Sequence, residues 1–142
     1  MARAAAAGAA GEATLLEAAQ VTSGDLLQAT AYLFVCPENL ASMSGEMKEM
    51  FDRCYYPVLG LIEGRPYATA IAAGSDGEGA MRQIDRIASG WRLRRVAEPL
   101  IVCTGAQTPQ QILAPKVVTE PDLARCRELG ASLATGISLG IF

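Results

Sequence analysis

The chain has 142 residues, 51% of them hydrophobic and only 19% charged, which suits one domain with one sizeable core and leaves little room for disorder. A formal net charge of −3 and an isoelectric point near 4.9 offer no basic footprint and argue against a nucleic-acid partner. Histidine is absent, so the Ser-His and Cys-His nucleophile pairs and the commonest zinc ligand are excluded; an enzyme of this composition would rely on a cofactor.

No apolar run approaches the roughly 20 residues of a membrane helix. The opening MARAAAAGAAGEATLL reads as an Ala-rich helix rather than a signal peptide, because alanine is weakly apolar and the basic end is thin. Four cysteines, Cys36, Cys54, Cys103 and Cys126, are far apart and form no Cys-x-x-Cys, so they are expected as buried thiols of a reducing compartment. Together these features place the protein in the cytoplasm and away from membranes.

In chain order, the first ten residues favour a helix that ends in the Gly8 and Gly11 region, and EATLLEAA is expected as a short strand. TSGDLLQA predicts a helical turn capped by Ser23 or Thr22. AYLFVC, Ala31 to Cys36, is rich in aromatic and branched residues and predicts a strand covered on both faces. Met43, Met47, Met50, Phe51 and Cys54 then recur at helical spacing, which predicts an amphipathic helix from near Ser44 to just before Pro57. YATAIAAG, Tyr67 to Gly74, is a second buried strand; Met81, Ile84 and Ile87 mark the next helix, and AEPLIVC, Ala97 to Cys103, a third strand. An irregular insertion follows, with one helical turn capped by Thr108 before Pro109. A last helix, near Asp122 to Leu139, presents Leu123, Cys126, Leu129 or Gly130, and Leu133.

Strands alternating with helices imply a parallel sheet with helices on both faces, in which ligands bind beyond the carboxyl ends of the strands. Two turn-rich segments occupy that position, PENLASMSG (Pro37 to Gly45) and GSDGEGA (Gly74 to Ala80), and both are expected at one rim of the sheet. Gly74, Gly77 and Gly79 match neither a dinucleotide fingerprint nor a P-loop. Such loops instead offer main-chain groups to the edge of a flat heterocycle, with proline stiffening the approach and glycine allowing contact.

PENLASMSGEMKEMFDRCYYP resembles the ring-binding loop and following helix of flavodoxin-like FMN proteins, through Pro37, Met43-Ser44-Gly45 and Met50-Phe51-Asp52-Arg53. AAGSDGEGA is similar to the family's next ring-side loop, and GRPYA to the entry of the strand before it. From about residue 12 onward the chain looks like the NAD(P)H-dependent FMN reductase and flavodoxin group. The resemblance implies a flavodoxin-like three-layer α/β sandwich and FMN as cofactor. Pro37, Glu38, Asn39, Leu40, Ala41, Ser42 and Met43 would frame one side of the flavin, and Gly74, Ser75, Asp76 and Gly77 another edge.

Relative to that family, the apolar first strand and the Ser/Thr/Gly-rich phosphate loop are expected to be missing, a stretch of roughly 20 residues, with Met1 to Ala10 standing as the later part of the first helix. The implied activity is electron transfer from NADH or NADPH through FMN to a quinone or similar small acceptor, with no catalytic side chain. A non-catalytic electron carrier or interaction module of the same fold, or a truncated chain without function, are the alternatives. Related reductases associate so that a neighbouring copy covers the flavin, which implies a homo-oligomer. Met43 is placed near the flavin, and Glu38 is the loop carboxylate positioned to meet a substrate. The arginines around RQIDRIASGWRLRR are read as solvated surface, and Trp91 with Tyr55 and Tyr56 as helix-end packing.

Overall fold

The apolar run after Ala31 forms β1 (Tyr32–Asn39) in the computed structural model, which describes every residue from Met1 to Phe142. β1 lies parallel to β3 (Pro66–Ala73), in register from Tyr32 opposite Tyr67 to Pro37 opposite Ala72. On its other edge β3 pairs first with the two-residue β4 (Arg94–Arg95) and then with β5 (Leu100–Cys103), both parallel. β2 (Ser42–Met43) folds back antiparallel on the end of β1.

The fold is α/β, a mostly parallel sheet between two helical layers, as the resemblance to flavodoxin-like proteins implies. Residues at alternate positions point to opposite faces, and the two faces bury different things. On one side Phe34, Tyr67 and Ile71 meet α3 (Gly45–Val58) and α4 (Glu78–Gly90). Phe51 links Phe34 to Trp91, with ring centroids 5.1 and 5.3 Å apart, and Tyr55 stacks on Trp91 at 5.7 Å, so Tyr55 and Trp91 pack where α3 and α4 end, whereas Tyr56 is exposed. On the other side a thinner layer of Ala70, Leu100 and Val102 lies under α1 (Ala2–Gly8) and α6 (Glu120–Ser138). α1 and α6 run antiparallel and touch backbone to backbone. A Cβ at Gly8 would lie 2.0 Å from the Arg127 carbonyl oxygen, and one at Gly130 2.0 Å from that of Ala5.

Several expectations change. EATLLEAA forms no strand; it is irregular chain leading to a 3-10 turn at Ala18–Gln20, and Leu15 and Leu16 are exposed. Its Ala and Glu content gives it little reason to pair. α3 runs through Pro57 to Val58, because in a last turn the missing N–H forfeits only one helical bond. β5 begins at Leu100 rather than Ala97, after Pro99, which has no N–H to donate to the ladder. Thr22, not Ser23, caps α2 (Ser23–Gln28), and Thr108 caps α5 (Pro109–Leu113). Cys36, Cys54 and Cys126 are buried, but Cys103 ends β5 at the rim and is exposed.

Candidate functional site

Because β1, β3 and β5 are parallel, their carboxyl ends share one rim, and the segments 37–44, 74–77 and 104–108 lie along it. β1 continues through exposed Pro37, tolerated in a strand at the sheet edge, into a hairpin in which Glu38 faces Met43 and Asn39 faces Ser42. The connection is two residues, Leu40 and Ala41, with φ of 53° and 58°. Two-residue hairpins of this hand favour Asn-Gly, since an L-residue with a Cβ in left-handed backbone costs roughly 1–2 kcal/mol. Leu40 is fully exposed (102% relative accessibility), so no packing of its own repays that strain.

The neighbouring loop restrains the turn. Gly77, the N-cap of α4, has φ of 87°, and a Cβ there would lie 2.5 Å from Ile101 Cγ2. A Cβ at Gly79 would lie 2.2 Å from the Ala41 carbonyl oxygen, so the first turn of α4 rests against the hairpin tip. Glu38 joins the two segments: its carboxylate oxygens accept from the main-chain N–H groups of Gly77 and Ala80, each at 2.9 Å. Gln83 adds a second tie, its Oε1 accepting from Met43 N at 3.0 Å and Ser42 Oγ at 2.9 Å.

Both loops therefore share one rim, but individual residues differ from their expected roles. Glu38 does not face outward toward a substrate; a carboxylate at a helix N-terminus is drawn to the unpaired amides there. The Met43 side chain is buried with Met47 and Met50 in the α3–α4 core, so only its main chain belongs to the rim. Pro37, Asn39, Leu40, Ala41, Gly74, Ser75 and Asp76 are exposed, Ser42 is half-buried, and Gly77 is buried as a packing position. The cluster of arginines lies elsewhere. Arg94 and Arg95 pair with the amino end of β3, and Arg95 with the Tyr67 hydroxyl engages Asp85, each contact 2.9 Å. Burial, reinforced by the Asp85 carboxylate, pushes the Tyr67 hydroxyl pKa far up.

Two contributors lay outside the sequence reading. Gln83 shares a helix face with Gly79 one turn earlier, but that spacing carries no sign of the hairpin it holds. The third loop comes from the insertion: Thr104 N donates to Ala73 O at 2.9 Å and Gly105 N to Gly74 O at 2.8 Å. Nearby, Lys116 Nζ donates to the carbonyls of Gln111, Ile112 and Ala114 at 2.6, 2.7 and 2.7 Å, which fixes the end of α5 and uses up that cation. Residues 37–43, 74–77 and 104–108 contain no Lys or Arg. Pro37 and Leu40 stand exposed beside the main chain of the hairpin tip along this rim.

A family model described as NADPH-dependent FMN reductase matches residues 8–100. The chain belongs to this family. Solved structures carry the same fold. An archaeal flavodoxin superposes with a TM-score of 0.70 at 16% identity, over 96% of this chain and 87% of its own. An NADPH-quinone reductase from P. pentosaceus gives 0.62 at 15% identity, over 90% and 87%. Rubredoxin oxygen:oxidoreductase from Desulfovibrio gigas gives 0.74 at 13% identity, where the chain spans 99% of its own length but only 33% of that protein. No curated protein sequence matches the chain. In this FMN reductase family member no helix is long and apolar enough to cross a membrane.

Proposed function

We propose that this chain is an FMN-dependent oxidoreductase that moves electrons from NADH or NADPH to a quinone or a similar small acceptor. The observation that carries the reading is the Glu38 bridge, which ties the hairpin 37–43 to the loop 74–77 at one rim of the sheet in a chain of the FMN reductase family. Pro37, Glu38, Asn39, Leu40, Ala41, Ser42 and Met43 frame one side of the ring in this reading, and Gly74, Ser75, Asp76 and Gly77 the other edge. FMN, when bound, supplies the redox chemistry. The chain supplies position. Exposed main chain at the turn and at Ser75 and Asp76 addresses the polar perimeter of the ring, and Leu40 and Pro37 offer apolar surface that excludes water. With no histidine and with the Glu38 carboxylate engaged, no side chain at the rim is assigned a proton to move.

A non-catalytic electron carrier is the second reading, favoured by the lack of any Lys or Arg along the rim to receive the phosphates of NAD(P)H. A second copy closing over the rim completes the site in either case.

Purified protein incubated with FMN and then desalted should keep the yellow absorbance, and NAD(P)H oxidation in the presence of a soluble quinone should then separate reductase from carrier. Riboflavin should bind within about threefold of FMN, since residues 37–43, 74–77 and 104–108 carry no Lys or Arg to hold the phosphate. Protein that stays colourless at saturating FMN and riboflavin removes both readings.

A further inference from the structure

We propose that Glu38 and Gln83 are positioning residues that lock the β1–β2 hairpin and the Gly74–Gly77 loop into one unit before any ligand arrives. The proposal rests on the reading of this rim as a flavin-ring site and adds the device that shapes it. Glu38 lies 39 residues before Gly77 and 42 before Ala80, and one carboxylate holds both amides at 2.9 Å. These are charge-assisted bonds at the positive end of a 13-residue helix, so the carboxylate is held by the α4 dipole as well as by geometry.

Gln83 repeats the connection one turn along α4, its single oxygen accepting from both Met43 N and Ser42 Oγ. Between the two ties the Gly79 main chain rests on the Ala41 carbonyl, with no room for a Cβ. All three contacts come from one face of α4 and grip the hairpin on either side of its strained tip. Leu40 and Ala41 hold positive φ although neither residue prefers it, and an untied hairpin would relax. The ties keep the main chain of the tip presented toward the rim. A ligand that meets a pre-ordered frame does not spend binding energy on ordering it.

Glu38→Ala and Gln83→Ala, with Glu38→Gln as the conservative change, separate this role from bulk stability. In flavin-free protein, amide hydrogen exchange should rise together in residues 38–43 and 74–80 in Glu38→Ala, while β3 and α6 stay protected. Riboflavin affinity should fall about tenfold, the loss expected when the ligand must order the loops itself, and Glu38→Gln, which keeps one acceptor oxygen, should recover part of it. Gly130→Ala, which strains the distant α1–α6 contact, should lower Tm without changing affinity. Gln83→Ala covers the case in which Glu38→Ala does not fold. Unchanged exchange in either loop overturns the proposal, as does a variant that loses Tm but binds riboflavin like the natural chain. If the natural chain binds no flavin, the ring-site reading falls, and the exchange result still decides whether the clasp exists.

Discussion

Replacing Leu40-Ala41 with Asn-Gly separates what the hairpin tip costs the fold from what it does for a ligand. Both residues sit at positive φ (53° and 58°), and Leu40 is fully exposed, so the substitution removes strain without removing packing. Glycine at position 41 removes the whole penalty of roughly 1–2 kcal/mol and asparagine at position 40, which keeps a Cβ but tolerates this backbone, roughly half as much; set against the extra unfolded-state freedom of glycine, roughly 0.5–1 kcal/mol, the net gain is about 1–2 kcal/mol. At ~2.1 cal/mol/K per residue, the 142-residue chain has an unfolding entropy of ~0.3 kcal/mol/K, so Tm should rise by about 3–6 °C. Differential scanning calorimetry reads the rise, and flavin titration of the same variant should read weaker binding, because the apolar surface of Leu40 is gone. A Tm that stays level or falls would refute the strain argument; a raised Tm with unchanged flavin affinity would remove Leu40 from the ring frame.

Three further outcomes can be measured directly. Thr69 is fully buried on the α3–α4 side of β3 and its hydroxyl has no hydrogen-bond partner, so Thr69→Val should stabilise by about 1 kcal/mol in denaturant titration, and destabilisation would mean that the hydroxyl is satisfied. Native protein should expose one fast thiol to a disulfide reagent, Cys103, against four after unfolding; burial pushes the Cys36, Cys54 and Cys126 thiols up and keeps them neutral, and a second fast thiol would contradict the core assignment. Hydrogen bonds from the Thr22 hydroxyl and main-chain N–H hold the Asp25 carboxyl below the usual aspartate value of 3.8. A depressed folded-state value stabilises above the unfolded value and is lost as pH falls through the folded one, so the cap of α2 should fail only below pH 3.8. Carboxyl NMR of Asp25 titrating at 3.8 or higher would show that the capping box does not form in solution.

Local chemistry made much of the architecture legible. The aromatic and branched run after Ala31 called for cover on both faces, and it has Phe34 and Cys36 buried on one and Leu33 and Val35 half-buried on the other; the three- and four-residue recurrence of Met47, Met50, Phe51 and Cys54 marks one side of a helix. The capping turn at Thr108 was readable, and that of α2 narrowed to Ser23 or Thr22, because cap donors and acceptors lie three residues apart. EATLLEAA misled because adjacent leucines suit a strand only if another strand lies beside them, and none does.

Composition, periodicity and capping are short-range properties, and they determined the element types, the parallel sheet and the two loops at its carboxyl rim. The direction of the Glu38 carboxylate, the fit of Gly79 against Ala41, the service of Gln83 to a hairpin 40 residues earlier and the exposure of Cys103 were decided only by tertiary contact. Those outcomes depend on which segments meet across the rim, and no spacing along the chain encodes the distance between two loops joined only through a sheet.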